Sequence, residues 1–153
     1  MITLEEFESF CQNDLVYKQK ILYYIDDLGR EHLIENLGQL HSVYGRSIKM
    51  ESAEKYNREL FNLCKSFDHP GPVTCHIFRS YINSKSFPRH TDPDDVLLLM
   101  ISGKKDIIID NKRTTLEEGN KIFIPADTPH EAINTSDSLM LSIGLEKFLI
   151  DKI

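Results

Sequence analysis

Two segments in the second half of the chain carry its most informative residues. Residues 87–105 read FPRHTDPDDVLLLMISGKK, and residues 119–134 read GNKIFIPADTPHEAIN. His90 and Asp92 are two positions apart, so on a strand their side chains project from the same face. If a later strand brings His130 opposite them, two imidazoles and one carboxylate converge on a single point.

Such a set of side chains has a recognised chemical use. Two histidines and one carboxylate bind one face of a divalent metal and leave the other face open, which is the geometry of non-haem Fe(II) oxygenases. We therefore predict that His90, Asp92 and His130 are metal ligands and form the active site. The alternative is a loop histidine, a turn aspartate and a barrel histidine that bind no metal.

Size and composition favour one soluble domain. The chain has 153 residues and a formal net charge of -6. Phosphate binding needs clustered basic residues, so the charge argues against a broad nucleic-acid-binding face. Cys11, Cys64 and Cys75 lie far apart in the sequence, which indicates that they are reduced thiols. The sequence shows neither a signal peptide at its start nor a long apolar run, so we expect a cytoplasmic protein that does not enter membranes.

Helical patterns dominate residues 1–72. Thr3 with Glu6 forms a capping-box pattern that predicts a helix through about Cys11. We predict a brief edge strand at residues 15–17, an interrupted helix over 21–44, and a cleaner helix that Ser52 caps. His32 and His41 are interpreted as polar positions on a helix, and His69 as a loop residue.

Strand patterns dominate residues 73–153. Short apolar or alternating runs occur at 73–82, 96–101, 106–109, 121–124, 131–133 and 139–145, and turn-like residues separate them. We predict an α+β fold that is mainly β: an antiparallel barrel or jelly roll over 73–153, with residues 1–72 as a helical preface packed on it. The two parts are expected to form one structural domain.

The second segment resembles a known family motif. A glycine, a proline, a small turn, a histidine and an asparagine occur at the spacing of the second cupin motif, namely Gly119, Pro125, Asp127, His130 and Asn134. The first cupin motif usually has two histidines one residue apart, and here Asp92 replaces the second. This is similar to the JmjC-type cupins, which are 2-oxoglutarate- and Fe(II)-dependent hydroxylases, and the order of the residues that follow Asp92 resembles the ribosomal-oxygenase branch.

This resemblance covers roughly residues 73–146 and implies roles for several residues. It implies that Fe(II) is the metal, and that Lys105 binds the distal carboxylate of 2-oxoglutarate as a co-substrate. Tyr81 either donates its hydroxyl to the same carboxylate or is a core tyrosine of the barrel wall. Arg79 stands where the family has an asparagine, and its role, as a second contact to the anion or as a solvent-facing residue, is left open. If Tyr81 points inward, strand alternation turns His76 outward.

The resemblance implies an enzyme that hydroxylates a C–H bond of a protein, peptide or small-molecule substrate. Two alternatives stay open: a metal-dependent cupin enzyme that does not use 2-oxoglutarate, and a non-catalytic cupin that binds a ligand. The N-terminal helices are expected to cover one end of the barrel, to form a homodimer contact, or to shape the substrate entrance.

Overall fold

The computed structural model describes all residues, 1–153. Four α-helices are α1 (Leu4–Phe10), α2 (Asp14–Lys18), α3 (Leu37–Ser42) and α4 (Arg58–Lys65). Ten strands are β1 (Leu22–Ile25), β2 (Glu31–Leu33), β3 (Ile48–Met50), β4 (Val73–Ser80), β5 (Asp95–Gly103), β6 (Lys105–Ile109), β7 (Lys112–Leu116), β8 (Lys121–Ile124), β9 (His130–Ile133) and β10 (Ser138–Leu145). Short 3-10 segments occur at Ala53–Lys55 and Leu149–Asp151. No helix combines the length and the apolar character that crossing a membrane requires.

The strands form two antiparallel sheets. The large sheet has the order β2-β1-β3-β4-β10-β5-β8, and the small sheet has the order β7-β6-β9. One apolar core lies between the sheets, where Met100 and Met140 of the large sheet pack with Ile107 of the small sheet. This is a jelly roll, so the predicted α+β, mainly β barrel with N-terminal helices is confirmed.

A second and larger core covers the other face of the large sheet. Phe7 of α1 and Leu60 of α4 are buried there against Cys75 and Ile77 of β4. Strand β4 is therefore covered on both faces, by the N-terminal half on one side and by the barrel interior on the other. That arrangement gives neighbouring side chains of one strand two separate environments.

In the first twenty residues the structure agrees with one of the two predicted elements. Helix α1 is confirmed, and the side-chain oxygen of Thr3 accepts a hydrogen bond from the backbone N–H of Glu6. The edge strand predicted at residues 15–17 is wrong. The side chain of Asn13 accepts a hydrogen bond from the N–H of Leu15 at 3.0 Å and starts helix α2 there.

The helix predicted over residues 21–44 is also wrong. A tight turn joins β1 to β2, and the Asp26 carboxylate accepts hydrogen bonds from the N–H groups of Leu28 and Arg30, both at 2.9 Å. Gly29 lies in this turn with φ +79, where the Pro88 side chain leaves no room for a Cβ. Only α3 remains of the predicted helix, and Asn36 caps it.

The next helix begins later than predicted. Asn57, not Ser52, caps α4, since its side chain accepts a hydrogen bond from the N–H of Leu60. Ser52 has a left-handed backbone conformation and makes no capping hydrogen bond. Strands β1 to β3 also extend the large sheet, so residues 1–72 contain strands as well as helices. The division of the chain at residue 72 stays a prediction.

Candidate metal centre

A backbone bridge brings the two predicted histidine ligands together. His90 lies in the segment between β4 and β5, and His130 is the first residue of β9. The N–H of His90 donates to the carbonyl oxygen of His130 at 3.1 Å, and the reverse bond measures 2.9 Å. The two imidazole rings are consequently neighbours, with their centroids 4.4 Å apart. Two distant parts of the sequence thus meet at one edge of the small sheet.

Asp92 completes the cluster. Its Oδ2 lies 3.2 Å from Nε2 of His130 and 3.6 Å from Nε2 of His90. One ligand atom from each of the three residues lies within 4.8 Å of the others, so the cluster could hold a metal ion. The side chains of His90 and Asp92 are each 38% exposed, whereas that of His130 is 11% exposed. The cluster therefore has one open side.

Hydrogen bonds from the second ring nitrogens orient both histidines. Nδ1 of His90 lies 2.8 Å from the carbonyl oxygen of Pro88, and Nδ1 of His130 lies 2.8 Å from that of Thr128. A carbonyl can only accept, so each Nδ1 carries a proton, and each Nε2 faces the Asp92 carboxylate. Nε2 is thus the nitrogen that would bind a metal ion, in the place of any proton there, because imidazole binds a metal in its neutral form.

Electrostatics keep the carboxylate of the cluster ionised. Hydrogen bonds from His130 and His90 hold the pKa of Asp92 well below its usual range. The hydrogen bond with Asp92 also raises the pKa of His90 above its ordinary value. The cluster is thus an anion flanked by two imidazoles, and a divalent cation at its centre would take the place of the shared proton.

The cluster lies at the rim of a cavity of about 340 Å³ between the two sheets. This volume falls within the range of small-molecule sites. Apolar side chains from both sheets line the interior, including Phe78, Leu98, Ile107 and Met140. The cavity therefore combines apolar walls with polar groups, among them the cluster of His90, Asp92 and His130.

Lys105 also lines this cavity and is 1% exposed. The side chain makes neither an ion pair nor a hydrogen bond, and its Nζ lies 5.5 Å from the centroid of the Phe78 ring. Burial lowers the pKa of this ammonium to about 8. The other lysine of the cavity, Lys49, differs because its Nζ lies 3.2 Å from a carboxylate oxygen of Glu31. Lys105 is thus a buried cation without a counter-ion.

Tyr81 does not join this group. Its ring packs against Tyr44, with centroids 5.0 Å apart, on the face of the large sheet that the N-terminal helices cover. The guanidinium of Arg79 lies over the same ring at 4.1 Å. The structure brings together His90, Asp92, His130 and Lys105 but leaves Tyr81 on the opposite face, so we no longer assign it a contact with a co-substrate.

His76 lines the cavity, contrary to the outward orientation predicted for it. The alternation along β4 was right, since His76 and Tyr81 do face opposite sides, but its direction was reversed. Nδ1 of His76 accepts a hydrogen bond from the N–H of Ser52 at 3.0 Å, so its proton lies on Nε2. Burial, and then the charge of Lys49, lowers the pKa of His76 to about 4. His76 is therefore a neutral donor that the sequence interpretation missed.

Asn134, from the second cupin motif, has a structural position. Its Nδ2 donates to the carbonyl oxygen of Ser84 at 2.9 Å and lies 3.2 Å from Oγ of Ser47. Asn134 is 2% exposed, and it lies outside the lining of the cavity. Its amide fixes the segment between β4 and β5, which also contains His90 and Asp92.

Comparisons with known proteins agree with this fold. The family model described as a cupin domain matches residues 80–144, which is less than half of the chain. No curated protein sequence matches the chain.

Several solved structures have a similar fold. The ribosomal oxygenase YcfD from Escherichia coli, in complex with cobalt and succinic acid, is 15% identical with a TM-score of 0.74. The match covers 99% of this chain but only 45% of YcfD. The same enzyme with cobalt and 2-oxoglutarate is 15% identical with a TM-score of 0.72, over 96% of this chain and 44% of that one. A conserved Streptococcus pyogenes protein of unknown function is 17% identical with a TM-score of 0.53, and the match covers 82% of this chain and 96% of that one.

The chain thus spans less than half of the length of the ribosomal oxygenase that it resembles. At these identities the likeness concerns the fold alone. The jelly roll and the matched family model agree on the same strands, which run from the end of β4 to β10. The cupin-domain model thus matches the part of the chain that carries the motifs, which agrees with the resemblance to the cupins that the sequence indicated.

Proposed function

We propose that the protein is an Fe(II)- and 2-oxoglutarate-dependent oxygenase that hydroxylates a C–H bond. His90, Asp92 and His130 would hold the metal, and Lys105 would bind the distal carboxylate of 2-oxoglutarate. Fe(II), when bound, supplies the redox chemistry that activates oxygen. In the overall reaction the substrate, 2-oxoglutarate and oxygen give the hydroxylated substrate, succinate and carbon dioxide.

The observation that carries this proposal is the isolated charge of Lys105. An ammonium that is removed from water without a partner costs free energy, and proteins usually pair or neutralise it. Lys105 keeps its position inside the barrel although no carboxylate of the chain reaches it. A carboxylate ligand would form a charge-assisted hydrogen bond there and return the pKa of Lys105 towards its ordinary value.

The other residues of the cavity support the same function. Phe78, Leu98 and Met140 line the cavity that holds the metal ligands and Lys105, and they would limit the access of water to a bound ligand. The neutral His76 offers an Nε2–H donor within this cavity. These residues would orient a bound dicarboxylate and limit its freedom, which is the contribution that a protein makes to cofactor chemistry.

The comparisons add support of a limited kind. The E. coli ribosomal oxygenase was solved in complex with cobalt together with 2-oxoglutarate or succinic acid. Because this chain spans less than half of that protein, the substrate class is open to proposal. The proposed substrate is a protein or peptide side chain, or a small molecule, that approaches the open side of the metal cluster.

The test is an anaerobic titration of the Fe(II)-loaded protein with 2-oxoglutarate. A 2-oxo acid chelated to Fe(II) gives a weak visible charge-transfer band. We expect a saturable band in the wild type, no band in His90→Ala, and a band that needs at least about tenfold more 2-oxoglutarate in Lys105→Met. Lys104→Met is the matched control, because Lys104 is exposed and should leave the titration unchanged.

The same titration separates the two alternatives. Metal binding without the band would refute the use of 2-oxoglutarate and favour a metal-dependent cupin enzyme of another kind. Failure to bind Fe(II) at all would favour a non-catalytic ligand-binding cupin. Equal titrations of Lys105→Met and Lys104→Met would show that Lys105 does not bind the co-substrate.

A further inference from the structure

A second cavity, of about 400 Å³, lies on the opposite side of the large sheet from the metal cluster. Helix α1, helix α3 with the residues that follow it, and strands β3 and β4 enclose it. Its walls are largely apolar and include Phe7, Leu40 and Val43. Arg79 reaches this cavity from β4, one position after Phe78, which lines the metal cavity.

Arg79 is a buried cation with poor charge compensation. It is 7% exposed, and its Nη1 donates to the carbonyl oxygen of Ser80 at 2.8 Å. The Nε atom is buried and has no hydrogen-bond partner. The carboxylate nearest to it belongs to Glu8, at 3.9 Å from Nη2, and the side chain of Glu8 is 57% exposed. A single distant and solvated carboxylate offsets little of the cost of burying a guanidinium.

Two aromatic rings lie beside this charge. The guanidinium carbon of Arg79 is 4.1 Å from the centroid of the Tyr81 ring, and the ring of Tyr44 packs against that of Tyr81 with centroids 5.0 Å apart. Tyr44 is 79% exposed, which is unusual for a large aromatic side chain. Arg46 also lines the cavity, but it already pairs with Asp27 at 3.2 Å. The guanidinium of Arg79 thus lacks a close negative charge, and it lies next to apolar and aromatic side chains.

We propose that this cavity binds a small aromatic monocarboxylate. The carboxylate would accept hydrogen bonds from Arg79, and the ring would occupy the space between Tyr44 and the apolar walls. The proposed ligand carries one charge because Arg79 is the only cation of the cavity without a close carboxylate partner. This site is separate from the proposed oxygenase chemistry, since it lies on the other face of β4.

Glu8 has a definite part in this binding. Its carboxylate lies where it competes with a ligand for Nη2 of Arg79, and it repels an incoming anion. Removal of this charge should therefore raise the affinity for the ligand. If the Glu8–Arg79 pair were only structural, the same change would lower the stability of the protein and produce no ligand binding. Glu8→Gln keeps the size of the side chain and is the variant that distinguishes a ligand site from a structural pair.

Isothermal titration calorimetry of the full chain in chelator tests the proposal, with phenylacetate as the probe and phenylacetamide as its neutral match. We expect saturable binding of phenylacetate and at least about tenfold weaker binding of phenylacetamide. Glu8→Gln should raise the affinity several-fold, and Tyr44→Ala should lower it without loss of fold because Tyr44 is exposed. Lys105→Met should leave the affinity for phenylacetate unchanged, which separates this site from the buried lysine of the metal cavity.

Arg79→Gln should abolish binding, and circular dichroism checks that this variant folds. Tyr44→Ala and Glu8→Gln keep the test valid if it does not fold. Three results would overturn the proposal: no phenylacetate binding in wild type and Glu8→Gln, equal affinity for the amide, or displacement of phenylacetate by inorganic phosphate at equal concentration. A lower melting temperature of Glu8→Gln without any ligand binding would identify the Arg79–Glu8 pair as a structural link alone.

Discussion

Replacement of Lys105 by methionine should stabilise the metal-free protein at neutral pH. Lys105 is 1% exposed, and burial lowers its pKa from the usual 10.5 to about 8. A fall of this size is equivalent to about 3 kcal/mol against the charged form in the folded state. Methionine keeps the unbranched stem and removes the ammonium. We expect the free energy of unfolding at about pH 7 to rise by about 1–3 kcal/mol, since relaxation and water reduce the full value.

The pH dependence has a fixed sign. Because the folded pKa of Lys105 lies below the unfolded one, the unfolded chain binds more protons between about pH 8 and pH 10.5. The penalty of the charged lysine is complete below about pH 8 and disappears as the pH rises towards 10.5. The advantage of Lys105→Met over the wild type should therefore be largest at neutral pH and small near pH 10.

Urea denaturation in the presence of chelator measures this difference. Wild type, Lys105→Met and the exposed control Lys104→Met are compared at about pH 7 and about pH 10, at equal slopes of the transition. Other groups also titrate in this range, but they do so in all three proteins and cancel in the comparison. Lys104→Met should follow the wild type within about 0.5 kcal/mol.

A loss of stability in Lys105→Met at neutral pH would refute the reasoning. It would mean that the ammonium has a favourable partner inside the barrel, so its burial would no longer indicate a missing anion. An advantage that stays constant up to about pH 10 would also contradict it, because a packing effect does not depend on the charge of Lys105.

Three further results are expected. Asp92→Asn should weaken Co(II) binding, measured by calorimetry, by more than about tenfold. Mutation of residues that only hydrogen-bond to metal ligands already lowers metal affinity by about tenfold or more, and Asp92 would be a ligand itself. Asn134→Ala should lower the free energy of unfolding, measured by urea denaturation, by about 1–3 kcal/mol because the carbonyl oxygen of Ser84 loses its hydrogen-bond donor. A loss smaller than about 1 kcal/mol would contradict this prediction. Asn57→Ala should cost about 1 kcal/mol through loss of the α4 cap, whereas Ser52→Ala, which removes no cap bond, should cost less than about 0.5 kcal/mol in the same assay.

The barrel could be predicted because its signals are local. Strands β5 and β8 are short apolar runs between turn residues, and Gly119 has φ +81 at the turn that precedes β8. The spacing of His90 and Asp92 placed both residues on one face, and the cupin motif supplied the third residue, His130. Local pattern and resemblance together thus located the cluster.

The N-terminal half could not be predicted in the same way. Tyr23, Tyr24 and Ile25 suit a helix or a strand, and β1 exists because β2 and β3 pair with its two edges. The contacts that decide between the two are distant in sequence. Capping by Asn13 and Asn57 was present in the sequence, but Ser52 offered an equally acceptable signal.

The direction of the side chains of β4 had no signal at all. A strand with one exposed face alternates between polar and apolar residues, but β4 is covered on both faces. Its histidine and its arginine, His76 and Arg79, are both buried or nearly so, on opposite sides. Alternation fixed their relation to Tyr81, and only the packing of the N-terminal half fixed which side faced the metal.

The position of β4 between the two cavities also determines how independent they are. Energetic coupling between sites needs an element with two arrangements that both ligands bias. Strand β4 pairs with β3 on one edge and with β10 along its whole length on the other, so hydrogen bonds hold its backbone on both edges. In the segment that follows it and contains His90, Asn134 donates hydrogen bonds to Ser84. Because these bonds oppose a shift of either element, we expect a ligand beside Arg79 and a metal ion at His90 to bind without affecting one another.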